Sequence, residues 1–256
     1  MGKRSFPYTV ITCADANFFH FLPALERNIE RKLGILPVIY DLGMTAEQRA
    51  SLASKVRSVP VPEAFGGAHP EHGFVMATHK PACITDALDC NPVGCLYADA
   101  DTFLTAPVSA AELGDADVAV TPRHPRERTP HHLVNGDLNS GVLFFSGRPP
   151  ARALLAAWAE ACAEGQRTDQ QALSDLLAPF DLLAGPEELA RDGLRLRKLD
   201  ARIYNDVGLR TGKILHFKNA GRTPKVTRKL ERIRDLEARH PLLLTALFRL
   251  RRFGIR

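Results

Sequence analysis

No apolar run in this 256-residue sequence approaches the roughly 18–20 residues that span a bilayer, which argues against a transmembrane helix. The start, MGKRSFPYTVITC, has basic residues but no apolar stretch long enough for a secretory signal, so a cytoplasmic chain is expected. The five cysteines, Cys13, Cys83, Cys90, Cys95 and Cys162, form no C-x-x-C pair, which leaves a zinc site or a thiol redox motif without a basis. No glycine follows the first predicted strand in TCADANFF, so the G-x-G-x-x-G of a dinucleotide-binding dehydrogenase is missing. There is no internal repeat and no low-complexity segment.

What is present is the composition of a globular chain, 45% hydrophobic and 25% charged, long enough for one good core plus appendages. The net charge of +5 is unevenly spread. From Arg222 to Arg256 eleven Lys/Arg face three Asp/Glu, a local +8 that leaves −3 for the rest. A two-part organisation follows, a body over 1–221 and a basic tail over 222–256, the tail suited to an anionic surface.

Hydrophobic periodicity predicts alternating strands and helices in the first half. Tyr8–Cys13 reads as a buried strand, and Phe18, Phe19, Leu22, Leu25 and Ile29 fall at helical spacing after it. Leu36–Leu42 is a second strand. Thr45–Val56 opens on a Thr-x-x-Gln capping box and reads as a helix. A short third strand is expected at Val59–Pro62 and a loop at His69–Gly73. Thr78–Asp89 is a helix with Pro81 in its first turn, and Gly94–Ala98 and Asp117–Thr121 are strands. Pro122–Asp137 is a loop carrying His124, His131 and His132, whose spacing is no zinc signature. Leu138–Phe145, Leu194–Leu199 and Lys213–Phe217 are further strands. Pro150–Glu164, Thr168–Leu177, Pro224–Glu237 and Pro241–Arg252 are helices. Such alternation implies an α/β fold with a mixed, mostly parallel central sheet, helices on both faces and a helical basic tail. Ligands of these sheets sit beyond the carboxyl ends of the strands. Asp15, Asn17, Asp99 and Asp101 all fall there.

Asp99 and Asp101, in LYADADTF, are the sharpest feature. On an extended chain residues i and i+2 point the same way. Two carboxylates so aimed repel unless a cation lies between them, and a hard divalent ion such as Mg²⁺ or Mn²⁺ prefers oxygen ligands. A lone D-x-D is also a common solvated strand end, but here apolar residues flank the pair on both sides. His216 ends the strand KILHF. It is either a satisfied strand histidine or a nitrogen ligand to a Mn²⁺-like ion. Lys80, early in its helix, either faces solvent or turns inward to meet an anion.

LYADADTFL resembles the metal-binding D-x-D of GT-A glycosyltransferases, and is similar to the D-A-D-T form of glycosyltransferase family 8. Four more stretches match in order: CADANF at 13–18, NSGV at 139–142, DQQAL at 169–173 and His216-Phe217 followed by Lys218, Gly221 and Lys225. The last departs from the family spacing, since Gly221 is five residues after His216 rather than three. The resemblance covers about residues 8–225. It implies a GT-A-type nucleotide-diphospho-sugar transferase fold and a metal-dependent hexosyltransferase. A nucleotide-sugar donor, expected to be a UDP-sugar, would give its sugar to a glycan or glycolipid acceptor with retained configuration. Implied roles are Asp99, Asp101 and His216 on Mn²⁺ or Mg²⁺; Asp15 and Asn17 on the base; Lys80 and Lys218 on the diphosphate; Asn139, Ser140 and Gly141 along the donor and acceptor sugars; Asp169 and Gln170 at the reacting centre.

A sugar-phosphate nucleotidyltransferase would want a glycine-rich basic loop after the first strand, which TCADANFF does not offer. A non-catalytic sugar-nucleotide or membrane-binding module is the other alternative. In the tail, Leu and Phe interleave with Arg, as in an interfacial helix on the inner face of an anionic membrane, or in a docking helix with solvated arginines. No stacking aromatics accompany the charges, so nucleic acid is not expected.

Overall fold

A computed structural model describes residues 6–60, 79–164, 168–218, 220 and 223–252. Its strands are β1 (Thr9–Ala14), β2 (Val38–Asp41), β3 (Lys55–Arg57), β4 (Gly94–Ala98), β5 (Thr102–Leu104), β6 (Val118–Pro122), β7 (Leu138–Ser146), β8 (Glu188–Arg191), β9 (Leu194–Lys198) and β10 (Ile214–His216). The longer helices are α1 (Leu22–Leu33), α2 (Lys80–Cys90), α3 (Pro149–Ala163), α4 (Asp169–Leu176), α5 (Pro224–Arg239) and α6 (Pro241–Arg252).

Eight strands form one sheet in the order β3-β2-β1-β4-β7-β6-β9-β8, and β5 pairs with β10 in a small second sheet. β3, β2, β1 and β4 run parallel. β7 is antiparallel to both its neighbours, β6 and β9 are parallel again, and β8 closes the edge antiparallel. The expected mixed, mostly parallel sheet is therefore present. Side-chain alternation explains why it is covered twice. Ile11, Cys13, Cys95, Tyr97, Leu143 and Phe145 pack on the face that also buries residues of α2, α3 and α4. Val10, Leu96, Val142 and Phe144 pack on the opposite face with Leu25, Ile29 and Leu33 of α1.

Several expectations shift on pairing. The Thr45 capping box forms, but its helix spans only Ala46–Ala50. The amide of Ser54 then donates to Glu26 Oε1 at 2.6 Å, and Lys55–Arg57 goes on to pair with β2. The third strand thus comes earlier than Val59–Pro62; Val59 and Pro60 are in no strand, and 61–62 lie outside the described residues, as do His69–Gly73, Gly221 and Arg222. β5 and β8 had no sequence signal of their own, because both are short and defined by their partners. The C-terminal helices dock on the body: Leu230 of α5 and Leu244 and Phe248 of α6 are buried with Phe21, Leu22, Leu215 and Phe217.

Candidate metal centre

β4 is buried along its whole length and delivers Asp99 to the carboxyl rim of the sheet. The chain does not stay extended there. Thr102 donates to the Asp99 carbonyl through both its amide (3.0 Å) and its hydroxyl (2.7 Å), closing a turn around Ala100. The two acids therefore converge through this turn rather than through strand alternation. β5 then pairs antiparallel with β10, with His216 opposite Thr102. That register brings His216 Nε2 to 3.3 Å from Asp101 Oδ1 and 3.7 Å from Asp99 Oδ2. One ligand atom from each of Asp99, Asp101 and His216 lies within 4.8 Å of the others, and theirs is the one such grouping among the described residues.

The imidazole is oriented from behind. Asn205 donates through Nδ2 to Thr121 Oγ1 (2.8 Å) and the Asn139 carbonyl (3.3 Å), so its Oδ1 faces His216 Nδ1 at 2.7 Å. In the neutral ring this places the proton on Nδ1 and the lone pair on Nε2, toward the carboxylates. Burial alone would lower the His216 pKa. Asp101 and then Asp99 more than offset it, and the ring is held above the ordinary histidine value. A cation placed between these groups would take over from that proton.

Gly141 makes the approach possible. The β6–β7 register shifts between Val120 and Thr121, so the Asn139–Val142 stretch of β7 bulges there. The Gly141 carbonyl accepts from the Asp99 amide at 2.9 Å. A Cβ on Gly141 would sit 2.6 Å from His216 Nδ1 and 2.9 Å from Asp99 Oδ2. Glycine is needed here for space rather than for a positive φ.

Lys80, at the start of α2, is buried and bridges the two halves of the site. Its Nζ lies 3.2 Å from Asp99 Oδ1, 3.1 Å from Asp169 Oδ2 and 3.0 Å from Ser140 Oγ. Burial would lower its pKa, but the Asp169 and Asp99 carboxylates outweigh burial and raise it. The reading of Lys80 as a solvent-facing helix residue is thereby overturned, since its side chain is only 8% exposed. For Asp99 burial would raise the pKa; the Lys80 and His216 charges and the Tyr97 hydroxyl, which donates to it at 2.7 Å, bring it below the ordinary carboxylate value.

The start of α4 meets the same bulge. Ser140 Oγ donates to Asp169 Oδ2 (2.6 Å), and the Ser140 amide donates to Gln170 Oε1 (3.3 Å). Thr168 caps the helix as expected, and Trp158 Nε1 donates to the Asp169 carbonyl at 2.8 Å. Asn139 accepts from the Gly141 amide (3.0 Å) and donates to Glu127 (3.2 Å). Lys218 joins through the same Glu127, 2.6 Å away. Burial would raise the Glu127 pKa, but Lys218 and its other donors lower it.

Asp15 and Asn17 lie one strand over, just past β1. They are bonded to each other: Asp15 accepts from the amides of Asn17 (2.9 Å) and Phe18 (3.0 Å) and from Asn17 Nδ2 (3.1 Å). The three loop histidines do not converge. His124 sits 3.8 Å from Asp206, whereas His132 pairs with the Thr129 hydroxyl. Sequence reasoning missed Asn205, Glu127 and Tyr97. Tyr97 alone had a signal, two residues before Asp99 at the end of the same strand.

The donor set suits a divalent cation. Asp99, Asp101, Asp169 and Glu127 carry four formal negative charges against Lys80, Lys218 and Arg123, leaving −1 when His216 is neutral. Around an octahedral ion with bonds of about 2.1 Å, adjacent ligand atoms would stand about 3 Å apart and opposite ones about 4 Å apart. The two His216–carboxylate separations fall within that span. Two carboxylate oxygens and one imidazole nitrogen form a mixed set that Mn²⁺ accepts readily.

The chain matches no protein-family model and no curated protein by sequence. Solved structures do resemble it. The galactosyltransferase LgtC bound to donor and acceptor sugar analogs aligns over 76% of this chain and 74% of its own, with a TM-score of 0.53 and 18% identity. An active-site mutant of LgtC aligns over 87% of this chain and 95% of its own, with a TM-score of 0.56 and 16% identity. A glycosyltransferase involved in glycosylation of the PBCV-1 major capsid aligns over 88% and 98%, with a TM-score of 0.56 and 13% identity. Sheet order, carboxyl-rim site and these likenesses together establish that this chain has the GT-A-type glycosyltransferase fold.

Proposed function

We propose that this chain is a metal-dependent glycosyltransferase that moves a sugar from a nucleoside diphosphate donor, a UDP-sugar being the expected one, to a glycan or glycolipid acceptor. The observation that carries this reading is the convergence of Asp99, Asp101 and a His216 whose Nε2 is aimed at them. Mn²⁺ or Mg²⁺ held by these three supplies Lewis-acid neutralisation of the departing diphosphate. Asp15 and Asn17, preset by their own hydrogen bonds at the end of β1, hold the base. Lys218 lends positive charge to the diphosphate and is kept in place by Glu127. Asn139, Ser140 and Gly141 line the sugars' path. The Asp169 carboxylate is engaged by Lys80 and Ser140. It acts on the reacting centre by fixing Lys80 and Ser140, while Gln170, half-buried and held between the Ser140 amide and the Asn135 carbonyl, is the group presented to the sugar.

The test is a thermal-shift panel of nucleotide sugars with and without Mn²⁺, followed by turnover of any hit and product NMR for the retained anomer. Stabilisation by one nucleotide class, enhanced by Mn²⁺, is expected. Absence of a shift with every nucleotide contradicts the reading.

The tail supports an acceptor or location at an anionic membrane surface. No described helix is long and apolar enough to cross a membrane. Leu242, Leu243, Leu247 and Leu250 are exposed on α6, and Lys225, Arg228, Lys229 and Arg232 follow one another at helical spacing on α5. Basic charge next to exposed leucines suits the inner membrane face. Reversing the charge of Arg228 and Arg232 is expected to abolish sedimentation with anionic liposomes; unchanged sedimentation would rule the surface out.

A further inference from the structure

The inner face of α5 reaches the acid turn directly at one point, and the end of β5 beyond it through Asn28 of α1. Arg234 donates through Nη2 to the Ala100 carbonyl at 3.3 Å, the peptide oxygen between Asp99 and Asp101. Its guanidinium lies over the Phe21 ring, 5.2 Å from the centroid, and its Nε is buried with no hydrogen-bond partner. This is no solvated tail cation. Three residues on, and so on the same helix face, Glu237 is buried and accepts from Asn28 Nδ2 at 2.9 Å. Lys32 lies 3.3 Å from the same carboxylate. Asn28 in turn brackets the end of β5: the Leu104 amide donates to its Oδ1 (2.7 Å), and its Nδ2 donates to the Leu104 carbonyl (3.0 Å).

Arg234 and Glu237 therefore hold the two ends of the segment Ala100–Leu104. That segment contains Asp101 and the whole of β5, and β5 sets the position of His216 through the β10 register. The other end of the Ala100–His216 unit is also tied, since the Phe217 amide donates to the Asp101 carbonyl at 3.0 Å.

We propose that α5 is a clamp on the acid turn, so that docking of the C-terminal helix and cation affinity at Asp99, Asp101 and His216 are coupled. Arg234 and Glu237 are positioning residues in this scheme. The clamp stands on the hydrogen bonds alone, whereas the coupling rests on the metal-site reading above. Coupling is reciprocal: a cation in the site would also strengthen docking of α5. Removing the tail to test membrane binding would then disturb the site as well, so substitutions on the outer face are the cleaner probe.

The experiment compares full-length wild type, Arg234→Met, Arg234→Lys and Glu237→Gln by amide hydrogen exchange and by Mn²⁺ titration monitored by electron paramagnetic resonance. In Arg234→Met, the Thr102 and Leu104 amides are expected to exchange about tenfold faster while Val118–Val120 in β6 are unchanged. Mn²⁺ affinity should fall about tenfold, the lower end of what outer-shell changes cost. Arg234→Lys keeps a donor for Ala100 and should recover toward wild type. Should Arg234→Met fail to fold, Glu237→Gln loosens the other end and should show the faster exchange at Leu104. Unchanged exchange in the turn, or faster exchange spread equally over β6, overturns the clamp. Unchanged Mn²⁺ affinity in an otherwise loosened turn overturns the coupling alone. A wild-type chain that binds no Mn²⁺ overturns the metal-site reading and the coupling with it, while exchange still judges the clamp.

Discussion

Two acidic clusters stand on neighbouring strands of the same rim, and they are built in opposite ways. Asp15 is satisfied by Asn17 and Phe18, all within three residues. Asp99 is satisfied by Tyr97, Lys80, Gly141 and His216, drawn from four elements and up to 117 positions away. The first is a local turn that any chain with Asp-x-Asn can fold. The second exists only when β4, β7, β10 and α2 are all in register. It concentrates like charge that burial makes costly, and it offsets that cost with one buried lysine and one imidazole. A site that needs so much of the fold to hold two carboxylates together is poised for a cation. A self-satisfied turn is poised only to present its edges.

The largest expected effect separates the two clusters by stability. Lys80→Met leaves Asp99 and Asp169 without their shared cation and should cost about 3–5 kcal/mol in denaturant unfolding. A loss below about 1 kcal/mol would mean that the non-local cluster is no more demanding than the local one. Next comes orientation. Asn205→Ala removes the partner that fixes the His216 ring, and Mn²⁺ affinity by titration should fall about 10–100-fold with the fold intact by circular dichroism. Unchanged affinity would show that the imidazole takes no part.

The same contrast explains what the sequence could reveal. The Thr45 box and the Thr168 cap were legible because their partners lie within three residues. The start of α6 was legible because Pro241 suits the first turn of a helix. The helix expected through Val56 failed because pairing with β2 outweighed local pattern at Lys55–Arg57. Asp99 and Asp101 could be singled out as paired acids flanked by apolar residues, but His216 joined them only by likeness to a motif, and the turn that joins the acids differs from the extended geometry expected of them. Asn205, Glu127 and Arg234 had no local signature at all. Each matters through a partner at least 11 positions away, namely His216, Lys218 and Ala100.

If the non-local cluster, and not the local one, holds the cation, the two differ in Mn²⁺ binding. Mn²⁺ titration of wild type, Asp101→Asn and Asp15→Ala tests it most directly. One bound Mn²⁺ per wild-type chain is expected, with a site at least about 100-fold weaker in Asp101→Asn on loss of a direct carboxylate ligand, and wild-type affinity in Asp15→Ala. Equal Mn²⁺ binding by wild type and Asp101→Asn, or no binding by either, would contradict it.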